Sequence, residues 1–367
     1  MADTDQVASA RPTIYDVARV AGVSIASVSR VLNDRRNPRE ETRERVLQAV
    51  AELGFIPDGA ARALSGQLKE VVGVVIRRVR WVEATEGVFA EQDESLIFTD
   101  GINRGIEFAA QRQGFNLLLS SVDVDDHDVS GRLLALARKS DGLVLHDRLL
   151  EPDRLEQLSR RVPVVTLANV ATPTTTNVHS DNCSGMRALA RHLLADHGYR
   201  TIGYVAGLAD SPDSMARGQT IAAETEAAGA TLLTGPHWQG NYYASGGARV
   251  IDRLIAAGAT LPRAIACAND QTALGVMYAL GRHGIDVPGD VAVTGFDDVM
   301  MARHLRPQLT TVRQPIQDIG ATAFDVLHAM ITTGVAPERD IVLPTQFIVR
   351  ESCGCPPAPG PAGAQVW

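Results

Sequence analysis

The apolar residues near the start of the chain recur with the three- and four-residue spacing of amphipathic helices. This pattern predicts three short helices, near 14–21, 24–32 and 39–53. Their apolar positions are Ile14, Val17, Ala18 and Ala21, then Val28, Val31 and Leu32, and finally Val46, Leu47, Ala49, Val50 and Leu53. Gly22 follows the first helix and suits the left-handed residue that ends a helix. Two helices joined by a short turn around a glycine form a helix-turn-helix layout.

From residue 71 onward the pattern changes to short, continuous apolar runs that alternate with helical stretches. The runs are VVGVVI, FNLLLS, GLVLH, VPVVTL, TIGYVAG, AIACAND and VAVTGFDD. A run without alternation indicates a strand buried on both faces, and strands that alternate with helices predict parallel sheets. Two halves of similar rhythm, 71–168 and 169–298, predict two sheet subdomains. Ligands of such sheets bind beyond the carboxyl ends of the strands, so we expect a cleft between the subdomains.

The distribution of charge sets the predicted N-terminal helices apart from the rest of the chain. The whole chain of 367 residues carries a net charge of −8, whereas residues 11–66 hold nine arginines and seven acids. A mildly basic head on an acidic body is typical of a protein that touches DNA at one end only. Residues 1–10 are polar, and no apolar run approaches the roughly 18 residues of a membrane span. We therefore expect no signal peptide, no membrane contact and a cytoplasmic location.

The outer face of the second predicted helix differs from an ordinary solvated surface, because it carries small residues, hydroxyls, one arginine and one asparagine. The side chains on this face are Ile25, Ala26, Ser29, Arg30 and Asn33. Small side chains let a helix enter the major groove, where Arg pairs with guanine and Asn with adenine. Hydroxyls that suit phosphate oxygens come from Thr13, Ser24, Ser27 and Ser29. The alternative is a small helical bundle without any role in nucleic-acid binding.

The same stretch resembles the DNA-binding headpiece of the LacI/GalR (lactose-repressor) family of bacterial transcription regulators. The matching strings are TIYDVARVAGVS, SVSRVLN, ETRERVLQAVAELGF and AARAL. The resemblance implies that the helix starting near Ser24 enters the major groove of the operator. It also implies a hinge helix in the minor groove, which would carry Ala61 and Leu64, with Leu64 as an apolar wedge between base steps. Pro38 and Asp58 depart from the family pattern in the loop and at the start of the hinge.

The predicted architecture is an all-α helix-turn-helix headpiece followed by an α/β, periplasmic-binding-protein-like core of two parallel-sheet subdomains. The resemblance implies that the chain crosses between the subdomains three times, and we place the crossings near 168, 298 and 325. The predicted segments are a disordered N-terminus (1–10), the headpiece (11–57), the hinge (58–69), a first subdomain (70–168 and 299–325), a second subdomain (169–298 and 326–352) and a flexible tail (353–367).

Candidate effector contacts follow the predicted strands of the core. ANDQTALG and GFDD match the family closely, and the resemblance extends the candidate site to a gripping arginine, a stacking aromatic ring and a loop acid. The candidates are Arg217, Tyr242, Asp181, Asn269 and Asp297. Carboxylates, amides and a guanidinium fork suit the hydroxyls of a sugar. An acid or amide at a strand end can instead cap the next helix, which we expect of Asp270.

Three departures affect the identity of the ligand. The segment 77–100 is much longer than the family's usual loop, and long loops at a cleft mouth are often functional. Ala168 and Asn169 stand where many members have an acid after VPVVTL. Thr220 stands where a glycine is usual, three residues after the candidate arginine. We therefore expect an effector that differs from an ordinary monosaccharide.

Four cysteines do not indicate a disulfide framework in a chain of this length. Cys353 and Cys355 form a Cys-Gly-Cys pair that suggests either a soft-metal ligand or a redox switch. Two cysteines do not close a tetrahedral zinc site, however, and no further cysteine or histidine stands near them in the sequence. No metal site is predicted.

The overall prediction is a sequence-specific transcriptional repressor that binds double-stranded operator DNA as a homodimer. A sugar-like small molecule would control its operator affinity, as inducer or co-repressor. The motifs GxSxG, GKS/T of a P-loop and GxGxxG are absent, so neither an enzyme nor a cofactor is expected. Three alternatives stay open: a solute-binding protein built on 71–351, an enzyme that uses the paired acids Asp297 and Asp298, and a regulator of another ligand such as a nucleobase.

Overall fold

The computed structural model describes residues 12–32, 39–55, 68–78, 97–123, 126–169 and 171–356. The chain divides between Lys69 and Glu70 into two compact units. Several predicted features lie outside the described residues, namely the N-terminus 1–10, Asn33, Pro38, Asp58, the hinge contacts Ala61 and Leu64, most of the segment 77–100, and residues 357–367. The predicted start of the flexible tail at 353 was too early, because Cys353 is buried in the core of the second unit. Within the described ranges, no helix combines the length and the apolar character needed to cross a membrane.

The first unit is the predicted three-helix headpiece, with α1 (Ile14–Ala21), α2 (Ile25–Leu32) and α3 (Glu40–Leu53). Thr13 and Asp16 form a reciprocal capping box, because the Thr13 N–H donates to Asp16 Oδ2 at 2.9 Å and the Thr13 hydroxyl accepts from the Asp16 N–H. Gly22 ends α1 with φ +61°. The three helices enclose a core of Val17, Ala18, Ala21, Val28, Val31, Val46 and Ala49.

The described part of the second unit contains two parallel sheets and one antiparallel pair of strands. Its elements up to residue 196 are β1 (Val71–Arg78), α4 (Ile97–Arg112), β2 (Asn116–Asp123), α5 (Val129–Ala137), β3 (Gly142–His146), α6 (Pro152–Ser159), β4 (Val164–Leu167), β5 (Thr176–Ser180), α7 (Asn182–Arg191) and a π-helical turn (His192–Asp196). The elements that follow are β6 (Thr201–Val205), α8 (Pro212–Ala227), β7 (Thr231–Leu233), α9 (Ala244–Ala256), β8 (Ala264–Cys267), α10 (Asp270–Arg282), β9 (Ala292–Thr294), β10 (Thr311–Arg313), α11 (Ile316–Thr333), β11 (Asp340–Leu343) and β12 (Gln346–Ile348).

The first subdomain is built on a parallel sheet of six strands in the order β11-β5-β4-β3-β1-β2. Successive strand residues face opposite sides, so α4 and α11 cover one face and α5 and α6 cover the other. Helices α4 and α11 approach closely because glycine stands at their contact. A Cβ on Gly105 would lie 2.0 Å from the Gln317 carbonyl oxygen, and one on Gly320 would lie 2.1 Å from that of Ile102.

The second subdomain is built on a parallel sheet of four strands in the order β7-β6-β8-β9. Helices α7 and α8 pack on one face of this sheet, and α9 and α10 pack on the other. The antiparallel pair of β10 and β12 joins its edge, with a bridge between Thr294 and Thr310. Two doubly covered parallel sheets confirm the predicted fold class.

The three crossings between the subdomains lie after Ser180, after Arg313 and after Leu343, and the positions predicted near 168, 298 and 325 were too early. The first error arises because β5, with the sequence TNVHS, is a buried strand of the first sheet made largely of polar residues. The second arises because β10 continues along the edge of the second sheet after β9. The third arises because α11 packs on the first sheet as far as Thr333 and β11 then joins that sheet.

Candidate functional site

The outer face of α2 matches the composition predicted for a surface that contacts DNA. Ile25, Ala26 and Arg30 are exposed, Ser27 and Ser29 are half-buried, and no acid stands on the helix. The Ser24 hydroxyl accepts from the Ser27 N–H at 3.2 Å, which caps the start of the helix. Nε of Arg30 donates to the Ala26 carbonyl oxygen at 3.1 Å, so the guanidinium lies along the exposed face.

One further contact and one exposed aromatic side chain belong to this part of the headpiece. Arg45 of α3 donates to the Gly22 carbonyl oxygen at 3.0 Å, which ties the third helix to the turn between the first two. Tyr15 on α1 is 68 % exposed and was not among the residues predicted to contact DNA. The sequence did contain a signal for Tyr15, because this aromatic residue falls outside the apolar stripe of α1 and is therefore expected to be exposed. Thr13, the predicted phosphate contact, is also exposed, although its hydroxyl belongs to the capping box.

The second unit has a cleft of about 860 Å³, including space open to solvent, at the carboxyl ends of strands from both sheets. Its walls come from the first subdomain at the ends of β1, β3, β4 and β5, and from the second subdomain after β8 and β9. This is the position expected for a ligand site in parallel sheets. The polar side chains that line it include Arg77, His146, Asp147, Ser180, Asp213, Arg217, Asn241, Tyr242, Asn269, Asp297 and Gln314.

Arg217 of α8 is almost completely buried, with 2 % exposure. Its Nε donates to Asn182 Oδ1 and its Nη1 to the Ala268 carbonyl oxygen, each at 2.7 Å. Asp213 Oδ2 lies 3.4 Å from Nη2, and the guanidinium carbon stands 3.8 Å from the centre of the Phe296 ring. This network holds the charged fork in one orientation, so little conformational entropy is lost if it donates to a ligand.

Carboxylates surround the arginine. Asp297 Oδ1 lies 3.9 Å from Nη1 of Arg217 and accepts from Nε2 of Gln314 at 2.6 Å. Burial raises the pKa of Asp297, and the nearby Arg217 opposes this change. Burial also raises the pKa of Asp147 to about 6, although the Arg148 N–H and Arg77 favour its charged form. The cleft therefore presents acids that titrate nearer to neutrality than exposed carboxylates do.

Two contacts bridge the cleft. Arg77 at the end of β1 donates to both carboxylate oxygens of Asp210 in the second subdomain, at 3.0 and 2.6 Å. Its Nη1 also lies 3.5 Å from Asp147 Oδ2. The Ile97 N–H at the start of α4 donates to Gln271 Oε1 on α10 at 3.0 Å. Both contacts would have to break or adjust if the subdomains changed their relative angle.

The other predicted effector contacts occupy different environments. Asn269, and not Asp270 as predicted, caps α10, because its Oδ1 accepts from the Thr272 N–H at 2.9 Å. Its Nδ2 donates to the Tyr242 carbonyl oxygen at 2.9 Å, where Tyr242 has φ +73°. Asn269 therefore holds the backbone that presents the aromatic ring to the cleft. Asp270 is fully buried and accepts from Thr311 and from the Val299 N–H.

Tyr242 lines the cleft and its hydroxyl lies 3.0 Å from the Ser211 hydroxyl. Asp181 is not among the described residues that line the cleft. It caps α7 by accepting from the Ser184 N–H at 2.9 Å. The structure thus brings four of the five predicted effector contacts to the cleft, Arg217, Tyr242, Asn269 and Asp297, and places Asp181 at a helix start.

Unlike its neighbour Asp297, Asp298 is not among the described residues that line the cleft, and it forms buried ion pairs instead. Its side chain is completely buried and accepts hydrogen bonds from three arginines, Arg303, Arg313 and Arg350. These arginines stand in three separate segments of the chain, before β10, at the end of β10 and after β12. The two adjacent carboxylates therefore do not form a pair of acid and base.

Several cleft residues escaped the sequence analysis. His146 is the last residue of β3, Asp147 directly follows that strand, and Gln314 directly follows β10, so the strand-end rule would have found all three. Asp213 precedes Arg217 by one helical turn. Four buried side-chain atoms of residues that line the cleft have no hydrogen-bond partner within the described part of the chain: His146 Nε2, Ser180 Oγ, Asn241 Nδ2 and Gln314 Oε1.

Comparisons with known proteins agree with both units. Residues 13–58 match the family model described as bacterial regulatory proteins of the lacI family, and residues 190–353 match that of the periplasmic binding protein-like domain. The catabolite control protein A of Priestia megaterium is 32 % identical over 93 % of this chain and 98 % of its own length. The transcriptional regulator GalR of Escherichia coli K12 is 32 % identical over 94 % and 96 %.

Solved structures show the same architecture. The lac repressor dimer bound to operator and the anti-inducer ONPF matches with a TM-score of 0.78 and 26 % identity, over 94 % of this chain and 99 % of that chain. The complex of the transcriptional regulator CelR with cellobiose matches with a TM-score of 0.64 and 28 % identity, over 93 % and 100 %.

Proposed function

The chain belongs to the LacI family of bacterial transcription regulators, and we propose that it is a repressor controlled by a neutral, polyhydroxylated ligand of the sugar class. The observation that supports the ligand class is the set of four buried, unpartnered polar atoms on residues that line the cleft. An unsatisfied buried polar group costs about 1–3 kcal/mol. A molecule with several hydroxyl groups can both donate and accept, so it can satisfy imidazole, hydroxyl and amide groups in one site.

The charges of the cleft favour a neutral ligand over an anionic one. Three carboxylates, of Asp147, Asp213 and Asp297, face two guanidinium groups, of Arg77 and Arg217. Both arginines already pair with carboxylates. A phosphate or a sugar acid would bring a further negative charge close to these acids. Tyr242 offers an aromatic face to the apolar C–H side of a sugar ring.

On the DNA side, we infer that α2 enters the major groove of an operator half-site. Arg30 would read a guanine edge, and Ile25 and Ala26 would lie against bases. Ser24, Ser27, Ser29 and the start of α1 at Thr13 would contact phosphates. A homodimer would present two such helices to the two halves of a near-palindromic operator. A ligand that shifts the angle between the subdomains would change operator affinity, with a coupling free energy of about 1–3 kcal/mol.

A first experiment tests the ligand class by thermal unfolding against neutral sugars, polyols, sugar phosphates, sugar acids and nucleobases. A ligand at 100 times its dissociation constant adds about 2.7 kcal/mol of stability. Stabilisation by a neutral sugar or polyol supports the proposal, whereas stabilisation by a phosphate, a sugar acid or a nucleobase alone contradicts it. Fluorescence anisotropy with operator DNA then measures the coupling, and recovery of the ligand unchanged tests our inference that the cleft binds without catalysis.

The chain offers a matched pair of variants for this assay. Asp147→Asn removes a carboxylate that lines the cleft, and Asp181→Asn makes the same change at a helix start, where asparagine caps as well as aspartate. We expect the first to weaken ligand binding at least tenfold and the second to leave it unchanged.

Since the relatives regulate transcription, we also infer that the protein works beside the chromosome, in the cytoplasm.

A further inference from the structure

Two histidines and two cysteines from distant parts of the chain converge at one place in the second subdomain. His192 and His197 lie at the π-helical turn, and Cys353 and Cys355 lie in the segment that follows β12. Their ligand atoms all lie within 4.8 Å of one another. The cluster stands on the α7 side of the sheet, where Cys353 belongs to the apolar core.

The distances within this cluster fit a metal ion. His192 Nε2 lies 3.1 Å from His197 Nε2, 3.4 Å from Cys353 Sγ and 3.6 Å from Cys355 Sγ. Cys355 Sγ lies 3.4 Å from His197 Nε2. Tetrahedral zinc, with bonds of about 2.0–2.1 Å to nitrogen and about 2.3 Å to sulphur, separates two nitrogens by about 3.4 Å and a nitrogen from a sulphur by about 3.6 Å. We propose that these four side chains form a structural zinc site of the Cys2His2 type.

Hydrogen bonding among the four groups is a poorer explanation of the same geometry. Nδ1 of His192 lies 2.8 Å from Asp196 Oδ2, where it is placed to donate its proton. The opposite nitrogen then carries one lone pair, yet it faces three groups of the cluster. A metal ion satisfies that lone pair and both thiolates together. The carboxylate behind the imidazole is the outer partner that metal-binding histidines usually have.

Local backbone geometry brings each pair of ligands together. In an α helix, residues five apart point about 140° away from each other. The π-helical turn has a hydrogen bond from the His197 N–H to the His192 carbonyl oxygen, which brings these two residues to the same side. Gly354, with φ +101°, turns the chain between the two cysteines.

Neighbouring side chains hold the four candidate ligands in place. Tyr199 stacks on His197 at 5.2 Å, and its hydroxyl donates to the Cys353 carbonyl oxygen at 3.0 Å. The Thr310 hydroxyl donates to Cys353 Sγ at 3.1 Å, and the ring of Phe347 lies 5.1 Å from that of His192. Four protein ligands leave no open position, so the ion would be structural. Binding would release two thiol protons and join the end of the described chain to α7.

The test is the zinc content of the full-length, untagged protein after incubation with zinc chloride and removal of excess metal. We expect about one zinc ion per chain by plasma mass spectrometry. Cys355→Ser and His197→Asn should each lose most of this zinc. Cys183→Ser, which removes an exposed thiol elsewhere on α7, is the matched control and should retain it. Circular dichroism of each variant verifies that the fold is intact.

Cobalt(II) provides an independent measurement. Cobalt in place of zinc should show the intense visible bands of a tetrahedral ion and the charge-transfer bands of thiolate ligands. Asp196→Asn should weaken zinc binding about 10–100-fold with the cobalt spectrum preserved, because it alters only the partner of His192. A wild-type chain without stoichiometric zinc, an octahedral cobalt spectrum, or a Cys353–Cys355 disulfide formed in the presence of zinc would each overturn the proposal.

Discussion

Replacing Asp147 with asparagine should make the ligand-free protein more stable near neutral pH, even though it weakens ligand binding. Burial raises the pKa of this carboxyl from an ordinary 3.8 to about 6. The folded protein therefore holds a proton over a pH range in which the unfolded chain has lost it. By linkage, the contribution of Asp147 to the free energy of unfolding falls as the pH rises from about 4 to about 6, and it is constant above that range.

The magnitude follows from the two pKa values. The difference between 3.8 and about 6 corresponds to roughly 3 kcal/mol of stability lost at neutral pH. Asparagine cannot ionise and so avoids this loss, while its Oδ1 can still accept from the Arg148 N–H as Asp147 does at 2.8 Å. Arg77 loses one acceptor but retains Asp210. We therefore expect a gain of about 1–3 kcal/mol at pH 7.5.

The assay is urea unfolding of wild type and variant at pH 4.5 and pH 7.5, without ligand. The advantage of Asp147→Asn should grow by about 2 kcal/mol between the two pH values. Asp325→Asn, at an exposed position on α11, controls for the change in net charge. An advantage of the Asp147 variant that is equal at both pH values, or a loss of stability at pH 7.5, would refute the argument that burial sets the pKa of this group.

The exposed face of α2, the cleft and the buried Asp298 each give one further prediction. Arg30→Ala should cost about 1–3 kcal/mol of discrimination between operator and unrelated DNA, with ligand binding unchanged, and a salt-controlled anisotropy titration that finds full sequence preference would contradict this. Arg217→Lys keeps the charge but loses the planar fork, so ligand affinity by calorimetry should fall at least tenfold while operator affinity stays near normal; an unchanged ligand affinity would argue against a role for the arginine in binding. Asp298→Asn should lower the free energy of unfolding by about 3 kcal/mol, because three arginines lose a buried carboxylate, and a stability equal to that of wild type would show that solvent screens these arginines.

The headpiece and the alternation of strands and helices were predictable because their signals are local. The 3.6-residue period of α1 and the continuous apolar run of β1 each lie within one element. The crossings were not predictable in this way, since β5 is polar in sequence yet buried between β4 and β11. Its side chains are satisfied by contacts with residues far along the chain, such as Asn177 with Asp340.

The cleft was only partly predictable for a similar reason. Asn269 and Asp297 were found because they follow apolar strands, but the sequence does not tell a cap from a ligand contact. That difference depends on whether the side-chain oxygen is already occupied, as Oδ1 of Asn269 is by the Thr272 N–H. Of the four proposed zinc ligands, only Cys353 and Cys355 stood out in the sequence. His192 and His197 could not be found there, because they lie about 160 positions away and depend on a π-helical turn that has no simple sequence pattern.

The three crossings between the subdomains restrict how the core can move. The second crossing passes through Pro315 and the third through Pro344, so in two of three connections the pyrrolidine ring fixes φ near −65°. The contact of α4 with α11 at Gly105 and Gly320 allows little sliding within the first subdomain. Opening and closing should then rotate one subdomain against the other about these connectors. A ligand in the cleft would therefore act on the angle between the two sheets and leave the packing within each sheet unchanged.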